Sequence, residues 1–313
     1  MKMKNNIYKY FLFLTTTIIL FSCKKDDQPQ TLVSMDAFLQ SKTELSMFTT
    51  AINKAQLQSF KDGPGPFTWL APTNAAFTAA GITSDSLNKL TSGDISYLLM
   101  YHLINDAVFT RDMIAQNSFP RATQLGNSGS TQVFLGQFNN EFFVNGTKIV
   151  SPDNRVTNGI IHAINRFHTP PVINGNIQAL LNSTGQHSLF IAALTRANRW
   201  AQLATTSVFT VFAPTDAAMT AAGHTTSSIA TSTVGRMDTL VRYHYFNNLR
   251  LFSNDFGNKV SPQTALGPGR TITASANGTK LKGRSNPSTI DITLTDRLGT
   301  NGVVHHLNGV LRY

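Results

Sequence analysis

Internal repetition constrains the fold of this chain more than any other feature of its 313 residues. Three blocks recur in the same order: FTWLAPTNAAF at 67–77, YH at 101–102 and NGIIH at 158–162 return as FTVFAPTDAAM at 209–219, YH at 243–244 and NGVVH at 301–305. The spacing between the copies is equal for the first two blocks and nearly the same for the third. Blocks that stay in register over such a distance predict two copies of one structural unit.

A fourth repeated block does not keep this spacing. Asn145–Lys148 (NGTK) returns at 277–280, a clearly shorter spacing, so we expect the first copy to be longer before this block and the second longer after it. We predict one domain over 31–169 and another over 172–313. Pro170-Pro171 between them favours an extended, stiff connector.

The first repeated block predicts a strand followed by a capped helix. Residues 67–70 form a short apolar run, and Pro72 ends it because proline lacks the N–H that a ladder needs. Thr73 and Thr215 then stand at the helix N-cap position. Asp216 adds a negative charge in the first turn, which the helix dipole favours.

The other two blocks place histidines among apolar residues. Ile95, Leu98, Leu99 and His102 recur at helical spacing, as do the matching residues of the second copy, so His102 and His244 lie on an apolar stripe. The third block opens with Asn-Gly, a turn signal, and continues as a strand. Its His162 and His305 share a face with aliphatic residues.

No motif of an enzyme or a metal site accompanies these histidines. His162 and His305 have no carboxylate or cysteine at ligand spacing, and neighbours such as His305 and His306 point to opposite sides of a strand. G-x-S-x-G and H-E-x-x-H are absent from the sequence. The repeated histidines also lack a repeated acidic partner. We therefore expect structural histidines, no metal, no cofactor and no enzymatic activity.

The N-terminal residues have the pattern of an export signal. Lys2, Lys4 and Lys9 precede an apolar stretch at 10–21, which is shorter than the roughly 20 residues of a membrane-spanning helix. Leu20-Phe21-Ser22-Cys23 resembles the bacterial lipobox, and Lys24-Lys25-Asp26-Asp27 resembles the surface-export signal of Bacteroidetes lipoproteins. We predict a signal peptide over 1–22, lipidation at Cys23 and a tether over 23–30. The alternative is an uncleaved anchor beside a free thiol.

Cysteine count and charge narrow the function further. Cys23 is the only cysteine, so the chain has no internal disulfide, no other thiol and no cysteine-based metal site. The formal net charge is +10, but the basic residues are scattered through the body of the chain. Such scatter favours anionic surfaces, including lipopolysaccharide or acidic glycans, and does not indicate nucleic-acid binding.

Together the repeated blocks resemble the signatures of fasciclin (FAS1) domains. The T-x-hydrophobic-hydrophobic-A-P-T-[ND] block is similar to the first signature and N-G-hydrophobic-hydrophobic-H to the second, with the Tyr-His pair between them. The resemblance implies an α+β fold of two tandem FAS1 domains, each a β-wedge of two sheets packed with helices. It also implies adhesion through extracellular protein or glycan partners.

In some animal members of this family the Tyr-His region is implicated in integrin binding. Carried over by position, the candidate contact residues are Tyr101, His102, Tyr243 and His244. Because both histidines lie on the apolar stripe, we expect them to be structural. We expect the tyrosines to point away from that stripe and to be the better contact candidates.

The sequence thus leaves three functions open. The first is adhesion by a lipoprotein anchored in the outer membrane and exposed at the cell surface. The second is an accessory lipoprotein that captures glycans for an outer-membrane uptake system, with exposed aromatic residues such as Trp69 or Trp200 lining a groove. The third is an uncharacterised enzyme.

Overall fold

A computed structural model of the chain describes residues 31–113, 118–128, 130–256, 263–275 and 278–313. The predicted export signal and Cys23 lie outside the described residues. Both repeats belong to one compact unit, Val33–Tyr313. Among the described helices, none has the length and apolar character needed to cross a membrane.

The two repeats contain matching series of helices and strands. The helices are α1 (Met35–Gln40), α2 (Ser46–Lys54), α3 (Gln58–Asp62), α4 (Asn74–Ala79), α5 (Ser84–Lys89) and α6 (Ser92–Met100), then α7 (Pro171–Asn174), α8 (Ile177–Asn182), α9 (Ser188–Arg196), α10 (Asp216–Ala221), α11 (Thr226–Thr231), α12 (Val234–Arg242) and α13 (Ser253–Phe256). The strands are β1 (Phe67–Pro72), β2 (Leu103–Ile104), β3 (Phe119–Arg121), β4 (Val133–Phe138), β5 (Glu141–Val144), β6 (Thr147–Val156) and β7 (Gly159–Ile164), then β8 (Phe209–Pro214), β9 (Tyr245–Asn247), β10 (Ile272–Ala274), β11 (Lys280–Gly283), β12 (Ile290–Gly299) and β13 (Gly302–Leu307).

The first and third sequence blocks of each repeat form two adjacent parallel strands. In the first repeat Phe67 of β1 is paired with Gly159 of β7, and the second repeat pairs Phe209 with Gly302 in the same way. A Cβ atom on Gly159 would lie 1.9 Å from the carbonyl oxygen of Phe67, and φ at this glycine is +153°. The Asn-Gly signature is therefore required by the close approach of two strands.

Each parallel pair is buried on both faces. Trp69 of β1 packs in a helix-side cluster with Phe48 and Leu99, whereas the next residue, Leu70, packs in a sheet-side cluster with Leu135. The second repeat has the same two clusters on either side of β8. Because both faces are buried, the sequence of each strand is a continuous apolar run and does not alternate between apolar and polar residues.

The strands of the first repeat follow the order β2-β1-β7-β6-β5-β4-β3, and those of the second β10-β11-β12-β13-β8-β9. The long strand β6 divides the strands of the first repeat into two ladders. Its start, Thr147–Lys148, pairs with β5, whereas the remainder pairs with β7 through two register shifts. The wedge of two sheets expected from the family resemblance therefore opens along β6, and β12 takes the same role in the second repeat.

The predicted helix start after each signature strand is confirmed. Strand β1 ends at Pro72, and the Thr73 hydroxyl accepts a hydrogen bond from the backbone N–H of Ala76 at 3.2 Å. Thr215 caps α10 in the same manner, with the backbone N–H of Ala218 at 3.3 Å. Each threonine satisfies one N–H that the first turn of the helix leaves free.

The expected alignment of the two NGTK blocks is wrong. Asn145 and Gly146 form the turn between β5 and β6, whereas Gly278 lies in the turn between β10 and β11. The strands themselves show where the repeats differ in length. Two residues, 145 and 146, join β5 to β6, but six residues, 284–289, join β11 to β12.

The connector between the repeats also differs from the expectation. Pro170 is extended, but Pro171 is the first residue of helix α7, a position where the missing N–H of proline costs nothing. The Asn174 amide of this helix donates to the carbonyl oxygen of Leu298 at 2.9 Å. The two prolines therefore do not form an extended spacer, because the chain turns at once onto the second repeat.

The repeats meet at a junction with an apolar centre and a polar edge. The rings of Phe134 and Phe252 are 5.5 Å apart, and the Arg250 guanidinium lies 4.5 Å from the Phe134 ring. At the edge, the Asp255 carboxylate accepts from both the backbone N–H and the hydroxyl of Ser118, at 2.9 and 3.0 Å. These contacts join strand β4 and the residue before β3 in the first repeat to helix α13 and the residues just before it in the second.

Candidate functional site

The histidine of each Tyr-His pair joins a helix to the end of its repeat. His102 follows α6, and its Nδ1 donates to the carbonyl oxygen of Leu98 at 3.0 Å. Its Nε2 accepts from the backbone N–H of His168 at 3.1 Å. Burial lowers the pKa of His102 to about 4, so the ring is neutral near pH 7 and has the tautomer that these two bonds require.

The second repeat reproduces this arrangement. His244 Nδ1 donates to the carbonyl oxygen of Leu240 at 2.8 Å, and its Nε2 accepts from the backbone N–H of Leu311 at 3.0 Å. Burial again lowers the pKa of His244 to about 4. The expectation that both histidines are buried on the apolar stripe is confirmed by their exposure of 0%.

The tyrosines lie where the sequence analysis did not expect them. Tyr101 is fully buried, and its hydroxyl donates to the carbonyl oxygen of Gln132 at 2.9 Å and accepts from the Asn145 amide at 3.2 Å. The Tyr243 hydroxyl donates to the carbonyl oxygen of Thr271 at 2.6 Å and accepts from the backbone N–H of Arg284 at 3.0 Å. Both side chains point away from the apolar stripe, as expected, but they enter the interior and do not reach the surface.

A second core explains this placement. The apolar stripe of α6 faces the helix-side cluster that contains Ile95 and Leu99. Tyr101 stands at the end of this helix and enters the sheet-side cluster instead, beside Leu70. All four candidate contact residues are therefore interior, so a partner cannot touch their side chains in this conformation. A contact role for the surrounding surface stays a prediction.

His162 and His305 hold a loop against the wedge. His162 Nε2 donates to the carbonyl oxygen of Val108 at 2.8 Å, and its Nδ1 accepts from the backbone N–H of Asp153 at 3.0 Å. His305 makes the same two bonds, to the carbonyl oxygen of Leu251 and from the N–H of Asp296. Burial lowers the pKa of both imidazoles, which favours the neutral form.

These bonds show a repeated acidic residue that the sequence analysis missed. Asp153 and Asp296 occupy equivalent places in the two repeats, and each has a left-handed backbone in its long strand, with φ of +54° and +62°. Sequence spacing did not indicate this contact, because it depends on a β-bulge: only the register shift brings the aspartate beside the histidine. The expectation that the repeated histidines have no repeated acid is therefore wrong.

The aspartates nevertheless do not form a catalytic triad with the histidines. The Asp153 carboxylate accepts from the backbone N–H and the hydroxyl of Thr110, and Asp296 accepts from the same groups of Ser253. In a triad the imidazole would bind the hydroxyl and the carboxylate would bind the imidazole. Here the hydroxyl donates directly to the carboxylate, and the imidazole donates to a main-chain carbonyl.

A repeated threonine completes this loop anchor. The Thr68 hydroxyl donates to the carbonyl oxygen of Asp106 at 2.6 Å and accepts from the N–H of Val108 at 2.8 Å. Thr210 bonds in the same way to Leu249 and Leu251. The sequence did hold this signal, since a polar residue follows the leading phenylalanine of the first block in both copies.

The residue after each N-cap threonine binds a neighbouring helix. The Asn74 side chain accepts from the backbone N–H of Met47 at 2.9 Å, in the first turn of α2. The Asp216 carboxylate accepts from the N–H of Leu189 at 2.7 Å, in the first turn of α9. The [ND] position of the first signature thus connects two helix starts, in addition to the dipole effect expected for Asp216.

His305 and His306 point to opposite faces of β13, as expected for neighbours on a strand. The His305 ring stacks on Phe212 at 5.3 Å, whereas the His306 ring contacts His187 edge-to-face at 4.4 Å. Across the described ranges, no group of three or more His, Cys, Asp or Glu side chains is placed to hold a metal ion.

The expected tryptophan groove is not present at the described surface. Trp69 is only 1% exposed and packs edge-to-face against Phe48, with ring centres 5.6 Å apart. Trp200 is partly buried against the helix-side core of the second repeat. Trp69 is therefore a core residue, as its place inside the first signature strand favours, and is not available for the sugar stacking of the glycan-capture alternative; Trp200 presents only part of its ring.

Two tandem α+β wedges with matching buried networks define the class of this protein, and comparison with known proteins gives its family. A model of the fasciclin domain matches residues 43–170 and again 185–313. The chain belongs to the fasciclin-domain family.

Several known proteins are similar to most of this chain. Transforming growth factor-beta-induced protein ig-h3 of the pig (Sus scrofa) is 25% identical over 279 residues, which cover 88% of this chain and 37% of that protein. Human periostin is 26% identical over 261 residues, which cover 82% of this chain and 29% of that protein. The chain thus spans only about a third of the length of these relatives.

One solved structure is a FAS1 domain pair from the insect cell adhesion molecule fasciclin I. The comparison covers 86% of this chain and 97% of that chain, with 18% sequence identity and a TM-score of 0.41.

Proposed function

We propose that this protein is a lipid-anchored lipoprotein of the outer membrane that adheres to extracellular protein or glycan partners through its tandem fasciclin domains. The matching family, found twice in one chain, is the observation that carries the binding role. Relatives such as ig-h3 and periostin share this family and belong to the adhesion proteins. The repeated polar side chains form hydrogen bonds inside each domain, so a partner binds to the exposed surface.

The membrane attachment rests on the sequence around Cys23. A thiol that follows a charged start, a short apolar stretch and a small residue is the acceptor for acylation in exported bacterial lipoproteins. Each buried methylene of an acyl chain contributes about 0.8 kcal/mol to membrane binding, so several chains hold a protein firmly.

Metabolic labelling with an alkyne fatty acid tests this attachment. The full chain should take up label and sediment with outer membranes, whereas Cys23→Ala should do neither. Ser22→Ala keeps a small residue before the cysteine and is the matched control, which should behave as the original chain does. Equal labelling of Cys23→Ala would contradict the proposed anchor.

A cell-binding assay tests the adhesion role. The fragment from residue 24 onward contains the whole compact unit Val33–Tyr313. We expect it to bind saturably to host cells, matrix proteins or surface glycans on an array. Failure to bind any of them above the level of an unrelated basic protein would count decisively against adhesion.

Glycan capture for an uptake system remains the alternative function. Its expected tryptophan groove is not found, so the alternative needs another surface. The second repeat contains such a surface, a cleft beside helix α10.

A further inference from the structure

The second repeat has an open cleft of about 220 Å³ beside helix α10. One wall is the alanine face of this helix, Ala218, Ala221 and Ala222. The other lining residues come from the six-residue loop between β11 and β12, from Ile290 and from the segment 308–312. Drug-sized ligands need about 300–1,000 Å³, so this cleft holds one small unit, such as a single sugar ring.

The first repeat lacks the loop that lines this cleft. Two residues, 145 and 146, stand where the second repeat has six, 284–289. At the position of the lining residue Val310 the first repeat has Phe167, whose ring contacts Phe77 with centres 4.9 Å apart. The residues that line the cleft are therefore particular to the second repeat.

Arginine lines this cleft without a carboxylate partner. Arg312 is one of the lining residues, and Arg236 lies close enough to act on the same imidazole as Arg312, that of His224. Neither arginine takes part in an ion pair within the described residues, whereas Arg199 and Arg242 both pair with Asp238.

The positive charge is local to this side of the second repeat. The Arg236 and Arg312 side chains lower the pKa of His224, in addition to the larger effect of its burial. The first repeat has Asp94, Ile82 and Thr169 at the positions of Arg236, His224 and Arg312. Clustered guanidinium groups that lack carboxylates attract an anionic ligand.

We propose that this cleft and its arginines, the cleft surface, bind an acidic sugar of an extracellular polysaccharide. The proposal rests on the extracellular binding role given above and names the ligand class for it. Guanidinium groups bind carboxylate or sulfate through paired charge-assisted hydrogen bonds. The alanine residues offer an apolar face for the C–H side of a sugar.

Calorimetric titration of the fragment from residue 24 onward tests the proposal. The probes are a galacturonic acid hexamer, a heparin-derived hexasaccharide and neutral maltohexaose. We expect saturable binding of at least one acidic hexamer, weakening as salt is raised, and no binding of maltohexaose. Binding of the galacturonic acid hexamer shows that carboxylates suffice, whereas binding of the heparin hexasaccharide alone, which has both carboxylates and sulfates, assigns the interaction to sulfate.

Matched variants distinguish binding at the cleft surface from general attraction by the net charge of the protein. Arg236→Ala with Arg312→Ala should weaken binding at least about tenfold, because each lost guanidinium removes charge-assisted hydrogen bonds. Arg111→Ala with Arg155→Ala removes the same charge from the first repeat and should leave affinity within about twofold. Ala222→Trp fills the cleft with all arginines present, and it should also abolish binding.

Three results would overturn the proposal: equal loss in both double variants, equal binding of maltohexaose, or no binding of any acidic probe. The adhesion assay remains independent, since a protein partner found on cells with no acidic-sugar binding would leave the proposed function standing and remove only this ligand.

Discussion

At the scale of single residues, buried histidines make the stability of this protein depend on pH in the acidic range. His102 and His244 are neutral inside the fold with pKa values near 4, whereas an imidazole in the unfolded chain titrates near 6.5. Between these values the unfolded chain binds more protons than the folded one. The free energy of unfolding therefore falls as pH decreases from about 6.5 to about 4, and these groups do not change it above that range.

Chemical denaturation at several pH values measures this effect. Each of the two histidines should contribute up to about 1.4 kcal/mol of lost stability per pH unit in the window. His244→Gln should be less stable at neutral pH and should show a shallower decline in acid, because glutamine does not titrate. A variant with the same pH slope as the original chain would show that His244 is not buried in its neutral form.

At the scale of secondary-structure elements, the N-cap threonines give the sharpest prediction. Thr73→Ala or Thr215→Ala removes the side-chain acceptor for a first-turn N–H and should cost about 1 kcal/mol of unfolding free energy. Serine at either position keeps the hydroxyl and should restore most of the loss. An alanine variant as stable as the original chain would show that the cap contributes nothing.

Local chemistry made these elements predictable from sequence. The strand, the proline stop and the threonine cap all depend on neighbours within a few residues, and β1 with α4 and β8 with α10 formed as expected. The NGTK alignment failed because an Asn-Gly turn fits any hairpin, and only the strand pairing shows which hairpin it closes. The interior position of Tyr101 was missed because a helical stripe describes one core, and each repeat has two.

The candidate site was predictable only in part for a similar reason. The burial of His102 follows from spacing within one helix, but the contact of Asp153 with His162 depends on a bulge in β6. The cleft of the second repeat depends on the length of one loop and on Val310, which stands where the first repeat has a phenylalanine. Such features arise between distant segments, so neither spacing nor composition indicates them.

At the scale of the whole molecule, the junction predicts that the two repeats unfold together. Phe252 is fully buried there against Phe134, and Phe252→Ala should lower stability by about 3–5 kcal/mol and separate the single transition into two. Phe48→Ala creates a similar cavity inside the first repeat and should lower the transition without dividing it. Differential scanning calorimetry distinguishes these outcomes, and two transitions in the original chain would contradict a coupling role for the junction.

The side chains of the buried networks and of the junction are not accessible to a partner. Binding therefore takes place at exposed surfaces, where the two repeats differ. The Tyr-His pairs are common to both repeats and are interior in both. The cleft surface belongs to the second repeat alone. A duplicated fold of this kind can keep its internal bonds unchanged while one copy acquires a ligand-binding surface.

Tyrosine nitration followed by peptide mass spectrometry tests the interior position of the Tyr-His pairs most directly. In the folded protein, Tyr97 and Tyr313 should react, because 39% and 38% of these residues are exposed. Tyr101 and Tyr243, exposed by 0% and 1%, should react only after unfolding. Modification of Tyr101 or Tyr243 at the rate of Tyr97 under native conditions would contradict the account, since the pairs would then be open to a partner.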